Sequence, residues 1–275
     1  MTLTRREVTG LLAAHGLSPR RALGQNFVAD PNTVRRIARL AGVGPGDRVV
    51  EVGAGLGSLT LALAETGAAV TAVEVDRGLL PVLRSVVEPH GVHVVEGDAL
   101  RMDWAAVLGP DPWVLVANLP YNVATPLVVR LLEEAPAVAR MLVMVQAEVA
   151  DRLAAGPGTK SYGAVSAIVA WWASAAVVGR VSPTVFVPRP NVESALVSLQ
   201  RRPPPAVEVG YERFKEVVRA GFAHRRKMLR TALTGVVDPA AFVAAGVAPT
   251  ARAEELDVER WGRLAGWTPS SPTRS

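Results

Sequence analysis

The chain contains no cysteine. That absence excludes a disulfide scaffold, a cysteine-ligated zinc or iron–sulfur site and thiol catalysis, and it fits a cytoplasmic protein. Histidine is scarce as well. His15, His90, His93 and His224 are scattered without metal-ligand spacing, so neither a metal nor a histidine catalyst is expected. Lysine is nearly missing: Lys160, Lys215 and Lys227 are the only three among 30 basic residues. The N-terminus shows no basic-then-apolar signal segment. Two charge-free stretches, Ser161–Gly179 and Pro112–Val129, could span a membrane on length alone. The second carries three prolines and two asparagines, and the first holds Trp171–Trp172 at its middle rather than at an interface. Both read as buried core, and no membrane partner is expected.

What is present points to a folded α/β protein. Across 275 residues, 49% are hydrophobic and 20% charged, which suits one large domain or a domain with a small partner. The net charge of +5 is unevenly placed. Residues 1–40 and 201–275 are each net basic, whereas residues 41–110 are net acidic. Basic ends suit a polyanionic partner, most simply nucleic acid.

Periodicity sets out alternating strands and helices. Strands are expected at Arg48–Val52, Ala69–Val73, Val92–Glu96, Trp113–Ala117, Met141–Gln146, near Ala176–Val181 and at Ala195–Leu199. Helices are expected at Asn32–Leu40, Ser58–Glu65, Leu79–Val87, Thr125–Glu134, Glu148–Ala155 and Ala164–Ala173. Such alternation with short loops predicts a parallel sheet covered on both faces. Arg201-Arg-Pro-Pro-Pro205 reads as a linker. Beyond it come a long helical run at Tyr211–Leu233 and shorter ones around Pro239–Ala244 and Val258–Leu264, which form a small all-helical C-terminal domain. The tail Thr268–Ser275 reads as disordered.

Ligands of such sheets bind beyond the carboxyl ends of the strands. Those ends carry Gly53, Glu74, Asp98 and Asn118. Glu51-Val-Gly-Ala-Gly-Leu-Gly57 links the first of these strands to a helix, so Gly53, Gly55 and Gly57 permit a tight turn and close approach of a ligand. The spacing is G-x-G-x-G, and Ser58 stands where the dinucleotide fingerprint needs its last glycine. That disfavours a nicotinamide oxidoreductase and suits S-adenosylmethionine, which has no pyrophosphate. Glu74 can accept from ribose hydroxyls and Asp98 from an adenine amine.

Asn118-Leu-Pro-Tyr121 closes the fourth strand. An exocyclic adenine amine is a poor nucleophile because its lone pair is delocalised into the ring. Two acceptors that take its two protons would localise and aim that pair, and the Asn118 side-chain carbonyl with the Leu119 backbone carbonyl can serve. Pro120 stiffens the turn and Tyr121 offers a ring to stack on a base.

With these segments in place the sequence resembles the ribosomal RNA adenine N6-dimethyltransferases of the bacterial small-subunit type, over about Arg20 to Trp261. The resemblance lies in Leu23-Gly-Gln-Asn-Phe27, the Gly loop, and Asn118-Leu-Pro-Tyr-Asn-Val-Ala-Thr-Pro126, which is the most specific match. It continues through Gln146-Ala-Glu-Val149, Gly156–Ser166, Phe186-Val-Pro-Arg-Pro190, Phe222–Lys227 and Arg252-Ala-Glu254. Leu23, Val28 and Ala147 depart from the usual Phe, Leu and Lys.

The resemblance implies a Rossmann-like class I S-adenosylmethionine-dependent methyltransferase sheet, residues 31–202. It implies a basic N-terminal segment, 1–30, closing over the cofactor site, and a helical RNA- and ribosome-binding domain, 203–267, before the tail 268–275. Asn26, Val28, Gly53, Gly55, Gly57, Glu74, Asp98 and Asn118 would hold the cofactor. Tyr121 and Phe186 would sandwich a flipped adenine, with Asn118, Leu119 and Pro120 completing the catalytic set. Arg225, Arg226 and Lys227 would contact RNA phosphates. The implied partner is 16S rRNA in the small ribosomal subunit or its precursor, dimethylated at two adjacent adenosines of a hairpin loop near the 3′ end by a monomeric enzyme. Two other readings stay in play: a macrolide-resistance methyltransferase of large-subunit rRNA, which more often shows N-I-P-Y, and a protein that acts mainly as a ribosome-assembly factor.

Overall fold

The computed structural model describes residues 2–20 and 23–268. It divides into two compact units, one of Met1–Asp151 with Ala175–Arg201 and the other of Arg152–Ser174 with Arg202–Ser275. The segment Arg152–Ser174, read above with the sheet, therefore groups with the C-terminal helices. No change of composition marks that crossing, because both units use the same apolar residues there. The expected disordered tail lies outside the described residues except for Thr268.

The strands of the first unit run β1 (Phe27–Val28), β2 (Arg48–Val52), β3 (Ala69–Glu74), β4 (His93–Glu96), β5 (Trp113–Asn118), β6 (Val138–Gln146), β7 (Ala173–Val181), β8 (Phe186–Val187) and β9 (Ser194–Arg201). Seven of them form one sheet in the order β4-β3-β2-β5-β6-β9-β7. The five from β4 to β6 run parallel, and β9 joins β6 antiparallel, from Arg140↔Gln200 to Gln146↔Ser194. β2, β5 and β6 read as nearly unbroken apolar runs because helices cover both faces of a parallel sheet. Strand order reverses between β2 and β5, where Val49 pairs with Val114. The crevice outside the carboxyl ends of these two strands is the natural ligand site of such a sheet.

The helices associated with the sheet are α1 (Arg5–Ala14), α2 (Pro31–Ala41), α3 (Ser58–Ala64), α4 (Leu80–Val87), α5 (Trp104–Leu108), α6 (Ala124–Glu134) and α7 (Ala147–Leu153). Local chemistry sets their ends. Thr4 and Glu7 form a capping box at α1. Asp30 caps α2, Pro31 opens it, and Gly42 ends it in the left-handed conformation. The last carbonyls of α6 meet an unusual partner. The Arg201 guanidinium, at the end of β9, donates to the carbonyls of Leu131, Leu132, Ala135 and Val138 at 3.0–3.3 Å. Arg201, read above as the start of the linker, thus finishes a strand and caps a helix.

The N-terminal segment, expected only as a basic closing arm, builds α1 and β1. β1 pairs antiparallel with β8, Phe27 opposite Val187 and Val28 opposite Phe186. Arg5 fastens α1 to the same two-stranded sheet by donating to the carbonyls of Thr184 and Phe186 at 2.5 and 3.2 Å.

In the second unit the helices are α8 (Ala164–Trp172), α9 (Tyr211–Ala223), α10 (Leu229–Ala232), α11 (Pro239–Ala244) and α12 (Val258–Gly266). Aromatic side chains make much of its core: Trp171 lies 4.3 Å from Phe214 and Phe222 5.7 Å from Trp261 between ring centroids. Buried Tyr162 donates to the Leu256 carbonyl at 2.7 Å. The helical run expected over Tyr211–Leu233 is broken: α9 stops at His224, and a turn carries Arg225-Arg226-Lys227 to α10. Arg225 is drawn into tertiary contacts, an ion pair with Glu254 at 2.9 Å and a bond to the Lys160 carbonyl at 2.9 Å. The helical pattern has no term for that capture. Among the described residues no helix is long and apolar enough to cross a membrane.

Candidate active site

Two cavities that share walls open where strand order reverses. One, of about 80 Å³, is lined by the Gly loop, the end of β3, the Asn118–Tyr121 loop and Leu23–Val28. The other, of about 230 Å³, runs from Gly53 past Val75 to Gly97–Leu100 and includes Asp98. The four strand-end residues Gly53, Glu74, Asp98 and Asn118 therefore border one continuous cleft.

Parallel pairing and the sharp turns after β2 and β3 bring the carboxylates in. Glu74 is buried and accepts three backbone N–H bonds, from Gly55 at 2.8 Å and from Val75 and Asp76 at 2.9 Å each. Burial pushes its carboxyl above the usual range, although those amide bonds favour the charged form. Glu51 is also buried and lines the smaller cavity, accepting from the Thr60 hydroxyl at 2.5 Å. Burial pushes it up to about 8; the Thr60 bond opposes this and the nearby Glu74 charge adds to it. Asp98 is part-exposed and accepts from Leu100 N–H at 2.9 Å.

Asn118 spends its side-chain N–H on the Asn26 carbonyl at 2.9 Å, which turns its Oδ1 into the acceptor end. Leu119 is anchored to β6 through its N–H to the Met144 carbonyl at 3.0 Å. Pro120 accepts from Val123 N–H at 3.1 Å, closing the turn. The Tyr121 hydroxyl shares a 2.7 Å hydrogen bond with the fully buried Ser194, and burial raises its pKa, so the phenol stays protonated.

Two expected residues sit elsewhere. Gly57 lines neither cavity. A Cβ there would come within 2.5 Å of Val87, so it allows α3 to pack on α4, and its φ of +89° starts the helix. Phe186 is fully buried in the core with Val28 and Leu196 and lines neither cavity, so its ring has no open face for a base. In the second unit Arg226 and Lys227 are exposed, whereas Arg225 is held by Glu254 and the Lys160 carbonyl.

Several site residues escaped the sequence reading. Glu51 had a visible signal, a lone acid inside an apolar strand. Gln25, Asp76 and Ser194 act through contacts across 51 and 73 positions, which no local pattern encodes.

The cleft suits a polar ligand with hydroxyls and amines, because its walls offer carboxylates and amide carbonyls. The buried Ser58 hydroxyl, on the wall of the smaller cavity, has no hydrogen-bond partner among the described residues. Among the described residues no group of three or more His, Asp or Glu could hold a metal.

The model of the ribosomal RNA adenine dimethylase family matches residues 16–268. The chain belongs to this family. The ribosomal RNA small subunit methyltransferase A of Thermobifida fusca is 49% identical over 278 residues, covering 97% of this chain and 96% of that protein. The protein of the same name from Streptomyces coelicolor is 49% identical, covering 94% of each. Among solved structures, the 23S rRNA methyltransferase ErmE superposes with a TM-score of 0.69 at 28% identity, covering 87% of this chain and 98% of that one. A Plasmodium falciparum dimethyladenosine transferase shares the fold, with a TM-score of 0.70 at 22% identity over 86% of this chain and 94% of that one. In this ribosomal RNA adenine dimethylase the sheet is thus the class I methyltransferase sheet, and the Asn118–Tyr121 loop stands at its reversal point.

Proposed function

We propose that the chain dimethylates the N6 amines of two adjacent adenosines in a hairpin loop near the 3′ end of 16S rRNA, with S-adenosylmethionine as methyl donor. The observation that carries this reading is Asn118, whose amide N–H is committed to the Asn26 carbonyl, leaving Oδ1 as an acceptor at the cleft wall.

When bound, the cofactor supplies a methyl group made electrophilic by its sulfonium. The chain's residues do the positioning. Glu74 is proposed to accept from ribose hydroxyls and Asp98, on the larger cavity, from the cofactor's adenine amine. Asn26, Val28, Gly53 and Gly55 wall the site. Glu51 and the unpartnered Ser58 hydroxyl suit an ammonium or carboxylate end. Asn118 Oδ1 and the Leu119 carbonyl would accept hydrogen bonds from the two N–H groups of the target amine in the first transfer and from the one that remains in the second, so that its lone pair localises and faces the methyl group; each new nitrogen–methyl bond costs the nitrogen one proton, which passes to water. No strong base is needed, and none of the cleft's groups has to act as one. Tyr121, tethered through its hydroxyl to Ser194, presents its ring to the target base. An unpaired loop base costs little to turn out of its stack, which suits a hairpin substrate. Arg226 and Lys227 are proposed to contact phosphates.

The test is a transfer assay with labelled S-adenosylmethionine, offering under-methylated small subunits and, separately, naked 23S rRNA. Digested RNA should yield dimethyladenosine from the small subunits alone. Product from 23S rRNA alone would overturn the substrate assignment.

A further inference from the structure

The cleft wall formed by Leu23–Phe27 is not part of the sheet, and something must hold it at the right distance from Glu74 and the Gly loop. The Asn118 bond to the Asn26 carbonyl and the pairing of Phe27 with Val187 of β8 hold one end of it. A further anchor lies at the end of β3. Gln25 donates its side-chain N–H to Asp76 at 2.8 Å, and its own carbonyl accepts from Arg20 N–H at 2.8 Å. Asp76 is buried, and its second oxygen accepts from Gly78 N–H at 3.0 Å and pairs with Arg20 at 3.2 Å. Arg20 is largely exposed, so solvent screens that ion pair, and the part-buried bond to Gln25, which is itself half-buried, is the stronger tie. Asp76 also connects to the ligand side of the turn, since its N–H is one of the three that hold Glu74. It lines neither cavity itself.

We propose that Asp76 is a positioning residue that, through Gln25, sets the Leu23–Phe27 segment against the cleft at the spacing the cofactor needs. This rests on the reading of the cleft as an S-adenosylmethionine site. A single acidic turn after β3 then does two jobs: Glu74 faces the cleft, and Asp76 holds the wall opposite. Gly24 leaves the segment little slack. A Cβ on it would lie 2.8 Å from the Asn122 side chain and 3.0 Å from Pro120, so a displaced segment meets the Asn118–Tyr121 loop directly.

The polarity of the Gln25–Asp76 bond gives a specific test, because it can be reversed. Asp76→Asn leaves a single acceptor for two donors, the Gly78 N–H and the Gln25 amide, so with the oxygen kept on Gly78 two N–H groups face each other, and Gln25→Glu sets two carboxylates together. In the double variant the introduced amide donates to the introduced carboxylate. The probe is S-adenosylhomocysteine, titrated by calorimetry without RNA, alongside KM values for S-adenosylmethionine and for small subunits. Each single variant should weaken S-adenosylhomocysteine binding by about tenfold or more. The double variant should return to within about threefold of the unaltered protein, with the KM for S-adenosylmethionine following the same pattern of loss and recovery. Single variants that bind like the unaltered protein would overturn the proposal. So would a loss that the double variant fails to recover, since a merely structural Asp76 gives that pattern. Failure of the unaltered protein to bind S-adenosylhomocysteine would bring down the cofactor reading and this inference with it.

Discussion

Burial turns two ordinary carboxylates into reporters of the cleft. Glu51, with its ordinary value of 4.5 raised to about 8, keeps its proton in the folded chain where the unfolded chain has lost it. A group raised in this way contributes stability that is full below 4.5 and is lost as pH climbs through about 8. Thermal unfolding of the ligand-free protein should therefore decline more steeply between pH 5 and 9 than that of Glu51→Gln, with the two curves drawing together at acid pH. Parallel curves would show that Glu51 is already charged. At this scale the sequence was informative wherever a candidate site residue sits at or just beyond a strand end. Glu74 and Asn118 close β3 and β5, and Gly53 and Asp98 lie one and two residues past β2 and β4, so periodicity places all four. Phe186 was legible only as a motif member. Its burial follows from β1 pairing with β8, residues far apart in the chain.

Elements that bury an apolar face wrote themselves plainly into the sequence, and those held by distant partners did not. β2, α11 and the start of α8 fall where the patterning puts them. The two-residue strands β1 and β8 carry too little periodicity to be seen. α9 ends early because Arg225 is captured by Glu254 and the Lys160 carbonyl. Arg201 shows the same principle energetically. It adds donors to carbonyls at the end of α6, of which those of Leu131 and Ala135 also accept backbone N–H bonds, and its burial lowers its pKa without removing its charge. Arg201→Met should cost about 1.5–3 kcal/mol, the range for losing hydrogen bonds to a charged group. Urea unfolding would show this as a lower midpoint with an unchanged slope. No shift in midpoint would mean that water serves those carbonyls equally well.

Across the whole molecule, charge and chemistry are separated. The acidic stretch supplies the carboxylates of the cleft, and the basic C-terminal part carries the exposed Arg226 and Lys227. If these two meet phosphates, replacing both with alanine should weaken RNA binding and flatten its salt dependence by about 1.5 in log–log slope. Arg225→Ala should instead lower stability, because its partners are Glu254 and the Lys160 carbonyl. Filter binding from low to moderate salt, read beside thermal unfolding, separates the two effects. An unchanged slope in the double variant would remove these residues from the RNA surface. The basic bias of this region was plain from the sequence, but which cations are free depends on tertiary pairing.

The central claim is that Asn118 aims the adenine amine for methyl transfer. The most direct measurement is the rate of methyl transfer to small subunits with enzyme in excess of subunits, by the unaltered protein and by Asn118→Ala, at saturating S-adenosylmethionine. The account predicts two methyl groups on each target adenosine for the former and a fall of about a hundredfold or more in rate for the latter, as for loss of one preorganised polar contact to a transition state. An Asn118→Ala enzyme that transfers at the unaltered rate under those conditions would contradict it.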